Sequence, residues 1–206
     1  MSHRPYIVIL EGPDGCGKTS FAKALFDFDP DTVLFRSGPP KGSAMAQYEG
    51  KIKHAFECRN VYGMNVVIDR LHVGEMVYGP LLRGGSTLVP GWFEQFEKRL
   101  GATNVVRAYV TIDSWDIHRK RLELRDNGKP DELSGVGIDQ IVAVRNVYEQ
   151  LIGSNPAWTK IETSTLLPKV LAKNFVNGWL KRLPTLHETQ WMFNSEYQQN
   201  PMPDRE

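Results

Sequence analysis

Cysteine is scarce in this 206-residue sequence, and several other signals are missing altogether. Cys16 and Cys58 are too few for a disulfide framework, and no C-x-x-C spacing marks a metal site. The apolar run from Tyr6 to Leu10 is far too short for a secretion signal or a membrane span. Lys and Arg number 25 against 24 Asp and Glu, so no global basic field would attract nucleic acid. We therefore expect a reduced, cytoplasmic protein that binds neither membranes nor, stably, nucleic acid.

The length and the composition indicate one compact domain. Hydrophobic residues make up 41% of the sequence and charged residues 24%, which is ordinary for a globular protein. No internal repeat is visible. We expect a folded domain at 1–183 and a polar tail at 184–206 that packs on the domain or is partly disordered.

Short runs of branched apolar residues alternate with helical patterns along the chain. The predicted strands are Tyr6 to Leu10, Thr32 to Arg36, Asn65 to Ile68, Val105 to Ile112 and Trp158 to Glu162. The predicted helices are Lys18 to Phe26, Ala44 to Asn60, Gly91 to Leu100, Ser114 to Arg125, Ile138 to Leu151 and Leu167 to Leu183. This alternation predicts an α/β protein, a three-layer αβα fold with a five-stranded parallel sheet. Trp92, Phe93 and Phe96 have the spacing of core residues on a helix, and His72 is expected to begin a helix as a structural histidine.

A glycine-rich loop follows the first predicted strand directly. Gly12-Pro13-Asp14-Gly15-Cys16-Gly17-Lys18-Thr19 matches G-x-x-x-x-G-K-[ST], a loop whose backbone N–H groups surround phosphates at a helix N-terminus. Lys18 would bridge the β- and γ-phosphates of ATP, and Thr19 would ligate Mg²⁺. The predicted ATP site comprises Gly12, Asp14, Gly15, Cys16, Gly17, Lys18, Thr19 and Ser20. A strand-to-helix turn without a ligand is the alternative, and we expect Cys16 to point out of the loop as inert packing.

A second buried run, VVIDR at 66–70, ends in Asp69 and Arg70. An acid at the end of a neighbouring strand can hold Mg²⁺ through water, and an Arg beside it can contact a second phosphate. Two phosphates held face to face are what phosphoryl transfer requires, because its catalysis is mainly positioning and charge neutralisation. A surface salt bridge is the alternative for this pair. The absence of an N-K-x-D motif counts against a guanine-nucleotide switch.

These motifs resemble those of the thymidylate kinase family. EGPDGCGKTS at 11–20 is similar to the family's opening, and DRLHVGEMVYG at 69–79 aligns with D-R-Y-x-x-S-x-x-A-Y-Q, which places Tyr78 on the family tyrosine. VRNVYEQL at 144–151 resembles the helix that follows the family's lid, and the form DRLHVGEMVYGPLLR is closest to phage-type members. The resemblance implies a P-loop kinase fold with a short mobile lid, a possible homodimer, and sugar contacts from Asp14 and Tyr78. It also implies an enzyme that uses ATP and Mg²⁺ to phosphorylate a deoxynucleoside monophosphate, dTMP before others, for deoxynucleotide supply in DNA synthesis.

The chain departs from the family pattern where the base is read. Leu71, Gly74 and Gly79 replace the family's Tyr, Ser and Gln, and Gln47 stands where many members place a base-reading Arg. Because hydrogen-bond partners decide discrimination between nucleobases, dUMP, a 5-modified pyrimidine nucleotide or another deoxynucleotide stays open beside dTMP. The predicted substrate-binding residues are Asp14, Arg36, Gln47, Arg70, Tyr78 and Arg83.

Gly15 occupies a position at which some family members carry an Arg, while others supply that cation from the lid. The candidate lid, at about 123–137, is polar and contains Gly and Pro, as a closing loop requires. On a helix, residues 121 and 125 are neighbours, whereas 119 lies off their face, so we expect Arg121 and Arg125 to reach the transferring phosphate with Lys129 as a helper. The predicted catalytic set is Lys18, Asp69, Arg70, Arg121 and Arg125. A solvated helix face is the alternative for the lid arginines.

Two other functions stay open at this point. A kinase that acts on a nucleoside, or on a hydroxyl in nucleic acid, would need a general base, for which Glu11 and Asp14 are the nearby candidates. A nucleotide-dependent switch or binding protein would hydrolyse ATP slowly and without stimulation by an acceptor.

Overall fold

The computed structural model describes residues 5–126 and 138–178. Its elements, in chain order, are β1 (Ile7–Glu11), α1 (Lys18–Phe28), β2 (Thr32–Arg36), α2 (Ala44–Tyr62), β3 (Asn65–Asp69), α3 (His72–Arg83), α4 (Trp92–Gly101), β4 (Val105–Thr111), α5 (Trp115–Asp126), α6 (Ile138–Tyr148), a π-helical turn (Glu149–Gly153), β5 (Thr159–Glu162) and α7 (Pro168–Gly178). All strand pairs are parallel, in the order β2-β3-β1-β4-β5. The predicted αβα fold with a five-stranded parallel sheet is confirmed.

Helices cover both faces of this sheet, which explains the continuous apolar runs in its central strands. On one face the core contains Phe21 of α1 and Phe175 of α7, whose rings meet edge to face. On the other face it contains Ile52 of α2 together with Trp92 and Phe96 of α4. Trp92 and Phe96 are buried and stack with their ring centroids 4.5 Å apart, as their helical spacing predicts.

Helix α3 is missing from the helix ranges that the sequence pattern predicts, although His72 was expected to begin a helix. Gly74, Gly79 and Pro80 lower its intrinsic propensity, because glycine adds backbone freedom and proline lacks an N–H donor. Burial of Val73 and Val77 in the core offsets that cost. The helix therefore depends on tertiary packing, which a reading of local propensity does not include.

A buried polar cluster fixes the start of α3. His72 pairs through Nε2 with Glu97 Oε1 at 2.6 Å, and its ring meets Phe96 edge to face. The second carboxylate oxygen of Glu97 accepts hydrogen bonds from Arg107 at 2.8 Å and from the Trp158 indole at 3.2 Å. His72 is thus a structural histidine at the first residue of a helix, as predicted.

Two predicted segments fall wholly or partly outside the description. Residues 123–126 of the predicted lid form the end of α5, and 127–137 lie outside the described residues, as does the predicted tail at 184–206. Within 5–126 and 138–178, no helix combines the length and the apolar character needed to cross a membrane.

The parallel arrangement brings the carboxyl ends of the strands to one edge of the sheet. Asp69 at the end of β3 pairs in register with Leu10 of β1 and with Arg36 of β2. The glycine-rich loop leaves β1 at this edge, and Arg70 follows β3 there. Ligands of open α/β sheets bind in the crevice outside these strand ends.

Candidate active site

The phosphate-binding loop has a backbone that only glycine tolerates at its two ends. Gly12 has φ +145°, and a Cβ there would lie 2.0 Å from the carbonyl oxygen of Val110 in β4. Gly17 has φ +92° and immediately precedes α1. The loop can therefore pack closely against β4 and lead directly into the N-terminus of α1. The free N–H groups at a helix N-terminus favour the binding of anions.

Gly15 packs directly against α5. A Cβ at Gly15 would lie 2.5 Å from Cδ2 of Leu122 and 3.2 Å from Nε2 of His118, so the side chain of an Arg has no room at its base. His118 is buried and donates from Nε2 to the carbonyl oxygen of Asp14 at 2.5 Å. Burial lowers the pKa of His118 to about 4, which keeps the ring neutral at pH 7. Helix α5 thus holds the loop by one hydrogen bond and one apolar contact.

Lys18 and Cys16 lie close together in the loop, with the ammonium nitrogen 3.8 Å from the thiol sulfur. The Lys18 ammonium donates to the carbonyl oxygens of Gly12, at 2.8 Å, and Pro13, at 2.6 Å. Cys16 is fully buried in the core cluster that contains Phe21, and its thiol donates to the Pro13 carbonyl at 2.8 Å. Burial raises the pKa of this thiol, so Cys16 is inert packing, directed into the core beneath the loop.

Thr19 and Asp69 bring two oxygen ligands together at the mouth of the loop. The Thr19 hydroxyl donates to Asp69 Oδ2 at 3.2 Å, although 50 residues separate them in the chain. Mg²⁺ prefers few protein oxygens and completes its shell with water and phosphate, so this pair fits it. Among the described residues, no cluster of three or more His, Cys, Asp or Glu would hold a metal by itself.

Arg70, Asp14 and Tyr78 form a second polar group, which lines the same cavity as Thr19 and Asp69. The Arg70 guanidinium contacts the Asp14 carboxylate, donates to the Tyr78 hydroxyl at 3.1 Å and lies 4.8 Å from the centre of the Tyr78 ring. The Tyr78 hydroxyl donates to Asp14 Oδ2 at 3.1 Å. Arg70 has φ +67°, in the left-handed region that residues other than glycine seldom occupy, and backbone strain of this kind gathers at functional sites.

The charge state of Asp14 follows from these contacts. Burial opposes its ionisation, but the charges of Arg70 and Lys18 and the hydrogen bonds from Arg70 and Tyr78 outweigh burial and lower its pKa to about 2. Arg70 Nε is buried and has no hydrogen-bond partner among the described residues. The Nη2 atom of this guanidinium is thus held by Asp14 and Tyr78.

Glu11 supports the turn that carries Arg70. It is fully buried at the end of β1, accepts the backbone N–H of Leu71 at 2.7 Å and accepts the hydroxyl of Tyr148 at 3.1 Å. Burial raises the pKa of Glu11. This carboxyl group lies beneath the turn and is not part of the cavity lining.

Arg121 of α5 lies beside the loop. Its guanidinium donates to the hydroxyl of Thr163 at 3.1 Å and to the Thr163 carbonyl at 2.7 Å, and the Thr163 hydroxyl donates to the Cys16 carbonyl at 2.8 Å. By contrast, the exposed Arg119 forms an ion pair with Glu123 at 2.9 Å, on a solvated face. The side chain of Arg125, and Lys129, lie outside the described residues.

A cavity of about 860 Å³ joins these groups. The predicted site residues that line it are Asp14, Gly15, Gly17, Lys18, Thr19, Ser20, Arg36, Asp69, Arg70, Tyr78, Arg83 and Arg121. Gly12 and Cys16, also predicted for the ATP site, are loop residues outside this lining. Gln47 is exposed on α2 outside this cavity, where its amide donates to the carbonyl of Lys41, and Tyr48 lines the cavity instead.

The structure adds lining residues that sequence reasoning missed. Glu75, buried on α3, contacts the Arg83 guanidinium and accepts hydrogen bonds from Thr87. Thr163 lines the cavity too, and it accepts two hydrogen bonds from the Arg121 guanidinium. Glu75 precedes Tyr78 by three residues, a spacing that puts two side chains on the same side of a helix. This signal was not used, because the range of α3 was not among the predicted helices.

The chain is similar to several known proteins. A guanylate kinase of Rickettsia felis is 25% identical over 166 residues, 74% of this chain and 86% of that protein. The YorR protein of Bacillus subtilis, solved with phosphorylated GDP, is 22% identical with a TM-score of 0.60, over 83% of this chain and 94% of its own. Thymidylate kinase from Candida albicans is 13% identical with a TM-score of 0.53, over 86% and 93%.

No family model matches the sequence. The structural similarities, all below 25% identity, show the fold. Taken with the guanylate kinase relative, they support an enzyme of the nucleotide kinase type and do not single out thymidylate kinases.

Proposed function

We propose that this protein transfers the γ-phosphoryl group of ATP to the 5′-phosphate of a deoxynucleoside monophosphate, with dTMP as the first candidate. One observation carries the proposal. Lys18, Thr19 and Asp69, which we assign to the donor, line the same cavity of about 860 Å³ as Arg70 and Tyr78, which we assign to the acceptor. Such a cavity holds two phosphorylated ligands with their phosphates facing each other.

The donor side follows from the loop. Mg²⁺ held by Thr19 and, through water, by Asp69 would offset negative charge between the β- and γ-phosphates. Lys18 leaves the loop carbonyls to contact the same phosphates. Arg121, held beside Gly17 by Thr163, adds positive charge where the phosphoryl group moves.

The acceptor side uses Arg70, with Arg36 at the rim of the cavity. A phosphate acceptor is already anionic at neutral pH, so this reaction requires no general base. A hydroxyl acceptor would require one, and the two nearby carboxyl groups fit poorly: Glu11 lies outside the cavity lining, and Asp14, with a pKa of about 2, is a weak base. The site therefore favours a monophosphate over a nucleoside.

The preferred base follows from the motif resemblance. The similar proteins act on different bases by name, guanylate in one case and thymidylate in another. We place dTMP first because the motif Asp69-Arg70 with Tyr78 resembles that of thymidylate kinases. A role in deoxynucleotide supply for DNA synthesis follows if dTMP is the substrate.

The test is a panel of acceptors and one variant. ATP with Mg²⁺ is incubated with each natural and 5-modified deoxynucleoside monophosphate, and diphosphate product is measured. Lys18→Ala should lower kcat by at least about a hundredfold, because the donor phosphates lose their main cation. Lys23→Ala, an exposed lysine on α1, is the matched control and should behave as the native protein. Unchanged turnover in Lys18→Ala, or no diphosphate with any acceptor, would sink the proposal.

A further inference from the structure

The acceptor half of the cavity contains one buried carboxylate that the reaction described above does not use. The side chain of Glu75 is 1% exposed and lies three residues before Tyr78 on α3, on the same side of the helix. Both residues line the cavity, together with the flat or apolar side chains of Tyr48, Leu71 and Leu82. This end therefore combines an apolar wall with the charged pair of Glu75 and Arg83, and protein sites hold and orient a planar base by such a combination.

The hydrogen bonds of Glu75 can be counted. A carboxylate offers about four acceptor positions. Oε1 accepts from the backbone N–H of Thr87 at 3.0 Å and from its hydroxyl at 3.1 Å, and Oε2 accepts from Arg83. One acceptor position is left on Oε2, directly beside the guanidinium.

Arg83 supplies the complementary half. Its side chain is 33% exposed and lines the cavity, and one of its N–H donors contacts Glu75. A guanidinium carries five donors and no acceptor, so further donors remain beside the free position of Glu75. The pair thus presents a fixed donor next to a fixed acceptor.

We propose that Glu75 and Arg83 select nucleobases that carry a carbonyl oxygen next to a ring N–H, a selection that rests on the proposed function. Thymine, uracil and guanine present this edge: Arg83 donates to the carbonyl, and Glu75 accepts the ring N–H. Cytosine and adenine present an amino group beside an unprotonated ring nitrogen, the reverse order. Rotation of cytosine about its glycosidic bond brings its carbonyl oxygen to Arg83 but leaves the unprotonated ring nitrogen facing Glu75, so the mismatch stays.

The test compares acceptors that differ only at this edge. dTMP and 5-methyl-dCMP have nearly the same shape, so their kcat/KM ratio reports hydrogen-bond matching, and we expect about a hundredfold or more in favour of dTMP. We expect a higher kcat/KM for dUMP than for dCMP, and for dGMP than for dAMP. The kcat/KM of dGMP relative to dTMP then shows whether the cavity accepts a purine or a pyrimidine. Glu75→Gln should reduce the ratio of dTMP to 5-methyl-dCMP by about tenfold, because an amide can also donate.

Glu49→Gln is the matched control. Glu49 pairs with Arg99 at 2.6 Å on the surface of α2 and α4, outside the cavity, so the ratio should stay at the native value. If the native enzyme prefers dCMP and dAMP to dTMP, dUMP and dGMP, the inference is overturned and phosphoryl transfer to a monophosphate still stands. A folded Glu75→Gln variant with the native ratio also overturns it, since Glu75 would then only support the fold.

Two further outcomes are decided in advance. If Glu75→Gln does not fold, the native ratio and Arg83→Gln decide, because Arg83 is partly exposed and its loss should weaken dTMP more than 5-methyl-dCMP. Equal effects of Arg83→Gln on both acceptors overturn the inference. Turnover of no monophosphate overturns the proposed function and this selection with it.

Discussion

Asp14 is a buried carboxylate whose charge the surrounding residues stabilise, and Asp14→Asn removes that charge at nearly constant shape. The native carboxylate contacts Arg70 and accepts the Tyr78 hydroxyl at 3.1 Å. Its pKa falls from 3.8 to about 2, because these contacts and the charge of Lys18 outweigh burial. A carboxyl group whose pKa is lower in the folded protein stabilises the fold at any pH above its pKa in the unfolded chain. That contribution is lost as the pH falls towards the pKa of the folded protein.

The size of the effect follows from the two pKa values. Their difference corresponds to about 2 kcal/mol of unfolding free energy at pH 7, of which about half is lost by pH 3. We therefore expect Asp14→Asn to be less stable than the native protein by about 2 kcal/mol at pH 7 and by about 1 kcal/mol at pH 3. The deficit shrinks because, as the pH falls, Asp14 takes up a proton in the unfolded chain before it does so in the folded protein. This proton uptake stabilises the unfolded chain of the native sequence and has no counterpart in Asp14→Asn.

Urea unfolding followed by tryptophan fluorescence, at several pH values from 7 to 3, measures this deficit. The control is Asp113→Asn: Asp113 is an exposed residue 3.3 Å from Lys160, and exposed ion pairs contribute little, so its loss should change stability less. The reasoning is refuted if the deficit of Asp14→Asn is the same at pH 3 as at pH 7.

Two further predictions concern the contact between the loop and α5. Gly15→Arg should destabilise the protein by more than about 1 kcal/mol and lower activity, because φ is +76° and a Cβ would lie 2.5 Å from Leu122. Gly50→Arg, with no atom within 4 Å of the added Cβ, is the control for thermal unfolding; equal melting temperatures for the two variants would contradict the packing argument. Burial lowers the pKa of His118 from 6.5 to about 4, so as the pH falls the unfolded chain binds a proton at this residue before the folded protein does. The free energy of unfolding should therefore decline as the pH falls from 6.5 to 4. His118→Gln keeps a donor for the Asp14 carbonyl and should flatten this decline in urea unfolding; an unchanged slope would show that other groups cause it.

Much of the fold was predictable because the relevant signals are local. Continuous apolar runs such as Ile7 to Leu10 indicate strands buried on both faces, and their alternation with helices indicates a parallel sheet. Helix α3 was missed for an equally physical reason. Gly74, Gly79 and Pro80 oppose a helix locally, and only burial against the rest of the core stabilises it.

The candidate site divides in the same way. The phosphate loop was predictable, because one short segment contains all its residues at a fixed spacing. The contact of Thr19 with Asp69 was expected from the meeting of strand ends, and the structure places these side chains 3.2 Å apart. Gln47 lies outside the cavity, because the face of α2 that it occupies points to solvent.

The class of fold, the phosphate loop and the pair Asp69 and Arg70 at a strand end could be predicted, since each depends on neighbouring residues and on backbone periodicity. The packing of the elements was needed to show that Arg70 pairs with Asp14, 56 residues away, and that α5 fills the space beside Gly15. Arg83 was predicted to contact the substrate, but its pairing with Glu75 in the cavity lining came from the structure. The physical reason is that side-chain pairing and exclusion depend on distances between elements, which helix and strand patterns do not encode.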